Sequence, residues 1–366
     1  MKVGILTFPK SASFGASLQM VALYKALELL GCDVEAINYW NDYMRLEKHV
    51  HSYTGSIKND VKRVLRKIIY HKGIRRFRNF ENSIKLYPSK YISTEKELKI
   101  LSSRYDVMVC GSDQVWNPDI TGSDYNYFFK FCDDNNKKYS YAPSFGVDEL
   151  SEKDAKEIAP LLKQFKGLSV REKQGAELIN RLTGQAAHVV LDPTLLLDKT
   201  EWQSMQKPVS CKCKNYILYF TVVGSKTLNE FAQDLSKKTG CEIVYVGGRF
   251  LDSLFSKNNI MKNIGPEEWL YLVSNARYVV TNSFHGTAFS INLEKEFFVE
   301  LSSFTNTRLI NIVDMFELND RVIINGKNIN IDKKIDYVSV KYKLEIEQKQ
   351  SFDYLKTMID TIAAKT

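Results

Sequence analysis

Side chains able to move protons follow an apolar segment of this sequence that ends at Cys110. Gly111 comes next and permits a tight turn, and Ser112, Asp113 and Gln114 follow it. A carboxylate in such a place can accept the proton of a substrate hydroxyl. The other interpretation stays open at this point, because Ser and Asp also cap helices.

A second group of polar residues follows the apolar run 277–281. It consists of Ser283, His285, Gly286 and Thr287, and residues with helical spacing come after it. A helix that begins here would direct backbone N–H groups and a positive dipole end toward an anion. His285 could then donate a proton or bind a phosphate, although a single histidine can equally be structural.

Arg171 stands at the end of a third strand-like run, 167–171, and Glu172 follows it. A guanidinium in this position can bind a carboxylate or a phosphate through two parallel hydrogen bonds. The alternative is an ion pair with a nearby acid. The segment Asp192-Pro193-Thr194 is interpreted mainly as a turn after a strand.

Alternating strands and helices must position these residues. Strand-like runs are predicted at 3–8, 34–39, 105–110, 138–142, 167–171, 188–191, 216–223, 242–246, 277–281 and 295–301. Helical periodicity lies between many of them, which predicts parallel sheets with right-handed crossovers. We predict an α/β protein of two Rossmann-like domains with an interdomain cleft. Their predicted bounds are 1–198 and 199–366, with 199–214 as the connection and a last helix, about 344–364, that packs back on the first domain.

Charge is concentrated in one part of the chain. The 366 residues include 51 Lys and Arg against 43 Asp and Glu, and residues 58–78 carry nine basic side chains and one acid. Apolar residues recur there at helical spacing, which predicts a basic amphipathic helical insertion near 57–80. It is either a solvated helix packed on the sheet or a contact with an anionic lipid or acceptor. Such local charge disfavours a nucleic-acid-binding protein.

Other signals indicate a cytoplasmic protein. The six cysteines are scattered, which is typical of reduced thiols, and the Cys211-Lys212-Cys213 pair lacks partners at zinc-site spacing. The N-terminus resembles a strand and not a signal peptide, and no run of 18 apolar residues occurs. We expect neither a metal nor a cofactor.

Several motifs, in this order, resemble those of the polysaccharide pyruvyl transferase family. They are Phe14–Gln19, Val109–Pro118, Ser140–Gly146, Ser169–Glu172, Val190–Thr194, Thr281–Thr287 and Arg308–Asn311. The first loop departs from the family pattern, because Ser13-Phe14-Gly15 stands where Asn-Tyr-Gly is frequent. This weakens the transfer of a ligand-binding role to Gly15 and Gln19.

The resemblance implies a GT-B-like arrangement of the two domains, with the acceptor on the N-terminal side and the donor on the C-terminal side. It implies transfer of a pyruvyl group from phosphoenolpyruvate to two hydroxyls of a sugar, giving a cyclic ketal in bacterial cell-surface or capsular polysaccharide synthesis. Residues matching Arg171 and His285 are implicated in donor binding or catalysis in the family. The expected partners are phosphoenolpyruvate, a free or lipid-linked sugar and an anionic membrane surface at the inner face.

The chemistry fits a specific set of residues. We assign the general acid, or the group that neutralises the leaving phosphate, to His285 and the general base to Asp113. Arg171, Arg308 and the helix start at 285–287 are expected to bind the donor's anionic groups. Two alternatives are a nucleotide-sugar glycosyltransferase, for which no acid stands out at a C-terminal-domain strand end, and a non-catalytic carbohydrate-binding protein.

Overall fold

A computed structural model describes residues 1–41, 43, 71–211, 213–247, 259–301, 306–324 and 329–364. The strands are β1 Lys2–Leu6, β2 Asp33–Tyr39, β3 Leu86–Ile92, β4 Val107–Cys110, β5 Lys138–Ser140, β6 Ser169–Val170, β7 His188–Val189, β8 Tyr216–Thr221, β9 Glu242–Gly247, β10 Asn259–Ile260, β11 Tyr278–Thr281, β12 Glu296–Glu300 and β13 Val322–Ile323. The α-helices are α1 Phe14–Leu29, α2 Glu95–Ser102, α3 Pro118–Thr121, α4 Glu152–Leu162, α5 Lys173–Thr183, α6 Lys199–Ser204, α7 Lys226–Thr239, α8 Pro266–Asn275, α9 Phe284–Asn292, α10 Asn306–Met315 and α11 Tyr337–Ala363. Residues 71–81 are helical as well.

The first of two compact units holds the described residues of 1–43, 77–196 and 346–364. Its five-stranded sheet has the order β3-β2-β1-β4-β5, and all pairs are parallel. Apolar side chains pack against the sheet, and Trp116 stacks on Phe128 within this core. The C-terminal part of α11 belongs to this unit, where the Tyr354 hydroxyl donates to the Ser140 carbonyl at 2.9 Å.

The second unit holds the described residues of 71–76 and 197–345. Its six-stranded sheet has the order β10-β9-β8-β11-β12-β13, and it too is entirely parallel. The central strands β8 and β11 are buried along their whole length, as expected where helices cover a parallel sheet on both faces. Each of the two units is therefore a Rossmann-like α/β domain, and each is formed by separate segments of the chain.

The predicted connection at 199–214 is partly wrong. Residues Lys199–Ser204 form α6, which belongs to the second unit. Asp198 and Glu201 form a capping box at its start, and Trp202 is buried edge-on against Phe289. The reciprocal cap and the buried indole explain why this polar, interrupted segment folds as a packed helix.

Candidate functional site

The candidate residues lie at the point where the strand order reverses in each sheet. In the first unit β1 lies between β2 and β4, and in the second unit β8 lies between β9 and β11. The loops after two such neighbouring strands run in opposite directions and leave a crevice at the carboxyl ends of the strands. Ligands of open α/β sheets bind in this crevice. The segments after β4 and β11 carry the residues singled out in the sequence.

In the first unit the backbone after β4 is fixed by buried polar side chains. The Ser112 N–H donates to Gln19 Oε1 at 3.1 Å, and Gln19 Nε2 donates to Thr7 Oγ1 at 3.0 Å. Gln19 and Ser112 are both completely buried. Gln19 therefore joins the loops after β1 and β4, and its contact with substrate stays a prediction. Gly15, in the first turn of α1, is buried too.

Gly111 is required by close packing. Its φ is 136°, and a Cβ placed on it would lie 2.0 Å from the Tyr141 carbonyl oxygen. The predicted turn at this glycine is therefore observed, and it brings the following residues to the carboxyl end of the sheet.

Asp113 and Gln114 are the more accessible residues of this loop, since each is only partly buried. Asp113 has a φ of 71°, and its Oδ1 accepts the Gln114 N–H at 2.9 Å. The Gln114 Oε1 accepts a hydrogen bond from Asn117 Nδ2 at 3.0 Å. Asn117, and not Ser112 or Asp113, caps the helix that follows. The capping interpretation of Asp113 is thus wrong, and Asp113 is a partly exposed acid of this loop.

Arg171 is buried in a cluster of acids. Its Nη1 donates to Asp192 Oδ2 at 2.6 Å and its Nε donates to Glu172 Oε1 at 3.1 Å. Burial alone would lower the pKa of Arg171, but the charges of Glu172, Asp192 and Asp113 outweigh it and raise the pKa. The ion-pair alternative for Arg171 is therefore the one that the structure displays.

Asp192 is more than the turn residue that its sequence context predicts. Its Oδ1 accepts from the Thr194 N–H at 3.0 Å and from Thr194 Oγ1 at 2.7 Å. Its Oδ2 accepts from Arg171 and also lies 3.4 Å from the Ser112 hydroxyl, which donates to the Ala142 carbonyl at 3.0 Å. One buried carboxylate thus connects the segments after β4, β6 and β7.

Glu81 is a buried acid that sequence reasoning did not single out. Its Oε1 accepts a hydrogen bond from Ser17 Oγ on α1 at 2.6 Å, and the side chain is fully buried. Burial raises the pKa of Glu81 to about 7, although Ser17 and Lys10 partly oppose the shift. An acid inside an apolar helical pattern gives no signal that its partner lies 64 positions earlier in the chain.

In the second unit a ladder of side chains joins the ends of β8 and β11. The Thr281 hydroxyl donates to the Phe220 carbonyl at 2.6 Å and accepts the Ser283 N–H at 3.0 Å. The Asn282 Oδ1 accepts the Val222 N–H at 3.0 Å, and its Nδ2 donates to the Val223 carbonyl at 2.7 Å. These bonds fix the segment from which α9 begins.

The predicted helix start at 283–287 is observed as the N-terminus of α9. Ser283 is the N-cap, and its Oγ accepts the Gly286 N–H at 3.3 Å. Thr287 donates both its N–H and its hydroxyl to the Ser283 carbonyl, so both residues have structural contacts. His285 lies at the second helical position and is 9% exposed. The N–H groups of the first turn and the helix dipole favour an anion here.

Two residues near β12 complete this unit. Arg308 lies in the first turn of α10, the helix after β12, and is buried. Glu300 is the last residue of β12, and its Oε1 accepts a hydrogen bond from Ser225 Oγ at 2.7 Å. The expectation that no acid stands at a strand end in this half of the chain is therefore wrong. Glu300 was overlooked because it lies inside the predicted strand 295–301.

The predicted basic helix lies mostly outside the described residues, which resume at residue 71. In the described part, Lys72, Arg75 and Arg78 are exposed. Arg76 has partners in the second unit, where its Nε lies 3.3 Å from Glu268 Oε1 and its Nη1 donates to the Asn263 carbonyl at 2.9 Å. No helix in the described part of the chain is long and apolar enough to span a membrane.

Comparison with solved structures agrees with this fold. UDP-GlcNAc 2-epimerase from Neisseria meningitidis, bound to UDP-GlcNAc, is 14% identical, with a TM-score of 0.52 and 100% of each chain covered. UGT89C1 from Arabidopsis thaliana, complexed with UDP, is 12% identical, with a TM-score of 0.52 over 97% of this chain and 98% of its own. The chain is thus an α/β protein with the two Rossmann-like domains of the GT-B fold class.

Sequence comparison gives the family. Residues 14–300 match the sequence model of the family described as polysaccharide pyruvyl transferase. Among curated proteins, none matches the chain closely enough to count as a relative. The match covers most of the chain and every motif quoted above except Arg308–Asn311. This chain belongs to the polysaccharide pyruvyl transferase family.

Proposed function

We propose that this protein transfers the pyruvyl group of phosphoenolpyruvate onto two hydroxyls of a sugar, which gives a cyclic ketal in bacterial cell-surface or capsular polysaccharide synthesis. Family membership supports the reaction class. The single observation that carries the proposal is the N-terminus of α9, where His285 occupies the first turn at the carboxyl end of β11. Phosphoenolpyruvate brings a phosphate and a carboxylate, which are the groups that such a helix end binds.

The second unit is proposed to bind the donor. The first turn of α9 provides N–H groups and positive dipole charge, and Arg308 adds a guanidinium in the first turn of α10. Gly286 and Thr287 keep the helix start close to β11, since a Cβ on Gly286 would lie 2.4 Å from Thr281 Oγ1. His285 is assigned to protonation of the enol carbon or to neutralisation of the leaving phosphate.

The first unit is proposed to act on the sugar, with Asp113 as the general base. Protonation of the enol CH2 makes it a methyl group and leaves an oxocarbenium-like carbon. One sugar hydroxyl adds to that carbon and loses its proton, the C–O bond to phosphate breaks, and the second hydroxyl closes the ring and loses its proton. The two sugar hydroxyls release two protons in total. One restores the proton that the acid gave to the enol CH2, and the other leaves with the phosphate. Asp113 fits the base because it is an acid of the loop after β4 that is only partly buried.

The experiment is a phosphate-release assay with phosphoenolpyruvate and a panel of galactosyl, mannosyl and glucosyl acceptors, with mass detection of the product. We expect His285→Ala to lower kcat by about 10²- to 10⁴-fold, the usual contribution of a general acid. His71→Ala is the matched control, because His71 is an exposed histidine of the same unit. Full transfer activity in His285→Ala would remove this histidine from the mechanism.

One observation favours a second candidate, a glycosyltransferase that uses a nucleotide sugar. Glu300 ends β12, and an acid at such a place can accept hydrogen bonds from ribose hydroxyls. Two proteins of similar fold are described with UDP or UDP-GlcNAc. A thermal shift with UDP that disappears in Glu300→Gln, together with no response to phosphoenolpyruvate, would favour this candidate over pyruvyl transfer.

We also propose that the basic segment 58–78 contacts an anionic membrane face, where a lipid-linked acceptor would be found. Three of its described basic side chains are exposed, which leaves them available to lipid headgroups. Arg76 is engaged with Glu268, so it is excluded from this role.

A further inference from the structure

A buried carboxylate outside the assigned set holds the candidate site of the first unit together. Asp192 is 1% exposed, and its two oxygens accept hydrogen bonds from the side chains of Arg171 and Thr194, while Oδ2 also lies 3.4 Å from the Ser112 hydroxyl. Its shortest contact, 2.6 Å to Arg171 Nη1, is a charge-assisted hydrogen bond inside the protein. Removal of Arg171 would take away the cation bonded to the buried Asp192, whereas removal of Asp192 would leave Arg171 with Glu172 as its bonded acid.

The charge of Arg171 is already compensated by these acids. Asp192 and Glu172 both bond to its guanidinium, and Asp113 is near enough to affect its pKa. Three acids thus act on one guanidinium, so the acids in this group outnumber the cation. The side chain of Arg171 is also only 2% exposed. A donor that carries both a phosphate and a carboxylate would be repelled here, whereas an uncharged polyol would not.

The contacts of Asp192 lead to the residue proposed as base. Its Oδ2 lies 3.4 Å from the hydroxyl of Ser112, which immediately precedes Asp113 in the chain. The Asp113 carbonyl in turn accepts the Ser144 N–H at 2.8 Å. The loop that carries Asp113 therefore contacts the Arg171–Asp192 pair through the hydroxyl of Ser112.

We infer that Asp192 is a positioning residue for the sugar acceptor, and that it acts with Arg171 to hold the loop of Ser112 and Asp113 instead of leaving Arg171 to bind the donor. The inference rests on the proposed pyruvyl transfer and assigns the uncharged polyhydroxyl substrate to the first unit. It changes the role that the family resemblance implies for Arg171.

The test varies the phosphoenolpyruvate and sugar concentrations separately in the phosphate-release assay. For Asp192→Asn we expect kcat/KM for the sugar to fall by about ten- to a hundredfold, because the base is misplaced. The KM for phosphoenolpyruvate should stay within about twofold of the wild-type value. Ser112→Ala should lower kcat/KM for the sugar by a smaller factor and leave the KM for phosphoenolpyruvate unchanged as well. This variant removes no buried charge, so it provides the test if Asp192→Asn does not fold.

Glu35→Gln is the matched control. Glu35 is a fully buried carboxylate of the same unit, and it accepts two hydrogen bonds of 2.8 Å from Arg104. This variant should lose stability without a selective effect on either substrate. A tenfold change in the KM for phosphoenolpyruvate in Asp192→Asn, or the same split in Glu35→Gln, would overturn the inference.

A binding experiment separates this inference from the proposed function. Saturation-transfer NMR with methyl β-galactoside, methyl α-mannoside and methyl β-glucoside needs no donor and no turnover. Sugar binding that weakens in Asp192→Asn supports the inference even if the wild-type protein releases no phosphate, a result that would refute only the proposed function. Equal signals in the two proteins, including none in both, would refute the inference whatever the turnover.

Discussion

Gly286→Ala should distort the start of α9, the helix proposed to bind the donor. A Cβ on Gly286 would lie 2.4 Å from Thr281 Oγ1 and 3.1 Å from the Phe220 ring. The hydroxyl of Thr281 is not free to move, since it donates to the Phe220 carbonyl at 2.6 Å and accepts the Ser283 N–H at 3.0 Å. The added methyl group therefore pushes against both strand ends and the N-cap at once.

The expected magnitude comes from opposing contributions. Overpacking costs about 1 to 3 kcal/mol, and each strained hydrogen bond of Thr281 adds about 1 kcal/mol. Alanine in place of a helical glycine returns about 1 kcal/mol. We expect a net loss of about 2 to 4 kcal/mol in the free energy of unfolding, measured by urea denaturation followed by circular dichroism and tryptophan fluorescence. The KM for phosphoenolpyruvate should also rise.

Gly175→Ala is the matched control. Gly175 is the third residue of α5, as Gly286 is of α9, but its Cβ would lie an ordinary 3.4 Å from Val170. This variant should be as stable as the wild type or more stable by up to about 1 kcal/mol. Thr281→Ala removes the clashing oxygen, so the double variant Thr281→Ala/Gly286→Ala should be more stable than the sum of its single changes predicts. Additivity within about 0.5 kcal/mol, or a wild-type stability for Gly286→Ala, would refute this account.

Two further predictions concern charge. Burial raises the pKa of Glu81 to about 7 from 4.5, so the folded state keeps a proton that the unfolded state loses, and the wild-type free energy of unfolding should fall by up to about 3 kcal/mol as pH rises from 4.5 to 7. Urea titrations of Glu81→Gln at both pH values should lack this decline, and an unchanged decline would show that other groups cause it. Replacement of Arg63, Arg66 and Lys67 by Gln should weaken binding to phosphatidylglycerol vesicles by about 1 kcal/mol per charge, with phosphatidylcholine vesicles as the control. Unchanged vesicle binding would assign the basic segment to a solvated surface.

Much of the fold follows from the sequence, because buried parallel strands appear as short apolar runs that end in Gly or polar residues. All ten predicted strands exist, as do the predicted helices in the described residues. The missed strand β3 contains Pro88, its apolar run is interrupted by Ser89 and Lys90, and none of its residues is buried, so it lacks the signal of a buried strand. The two-residue strands β10 and β13 are too short to show a period.

The candidate site was predictable in its positions and less so in its contacts. Residues at strand ends, such as Asp113 and His285, are found at the switch points because strand order and chain direction determine where those ends lie. Sequence spacing does not reveal contacts between residues far apart in the chain. The sequence therefore indicates only a turn at Asp192, whose contact Ser112 lies 80 positions earlier. The burial of Gln19 between two loops is likewise a result of tertiary packing, which the sequence does not reveal.

The most direct test of the central claim is phosphate release by the wild-type protein from phosphoenolpyruvate, measured against the panel of sugar acceptors with mass analysis of the product. The proposed function predicts phosphate release that depends on one class of sugar, equals the amount of ketal formed and is lost in His285→Ala. No acceptor-dependent phosphate release with any sugar, or a product that carries a transferred sugar in place of a pyruvyl ketal, would contradict it.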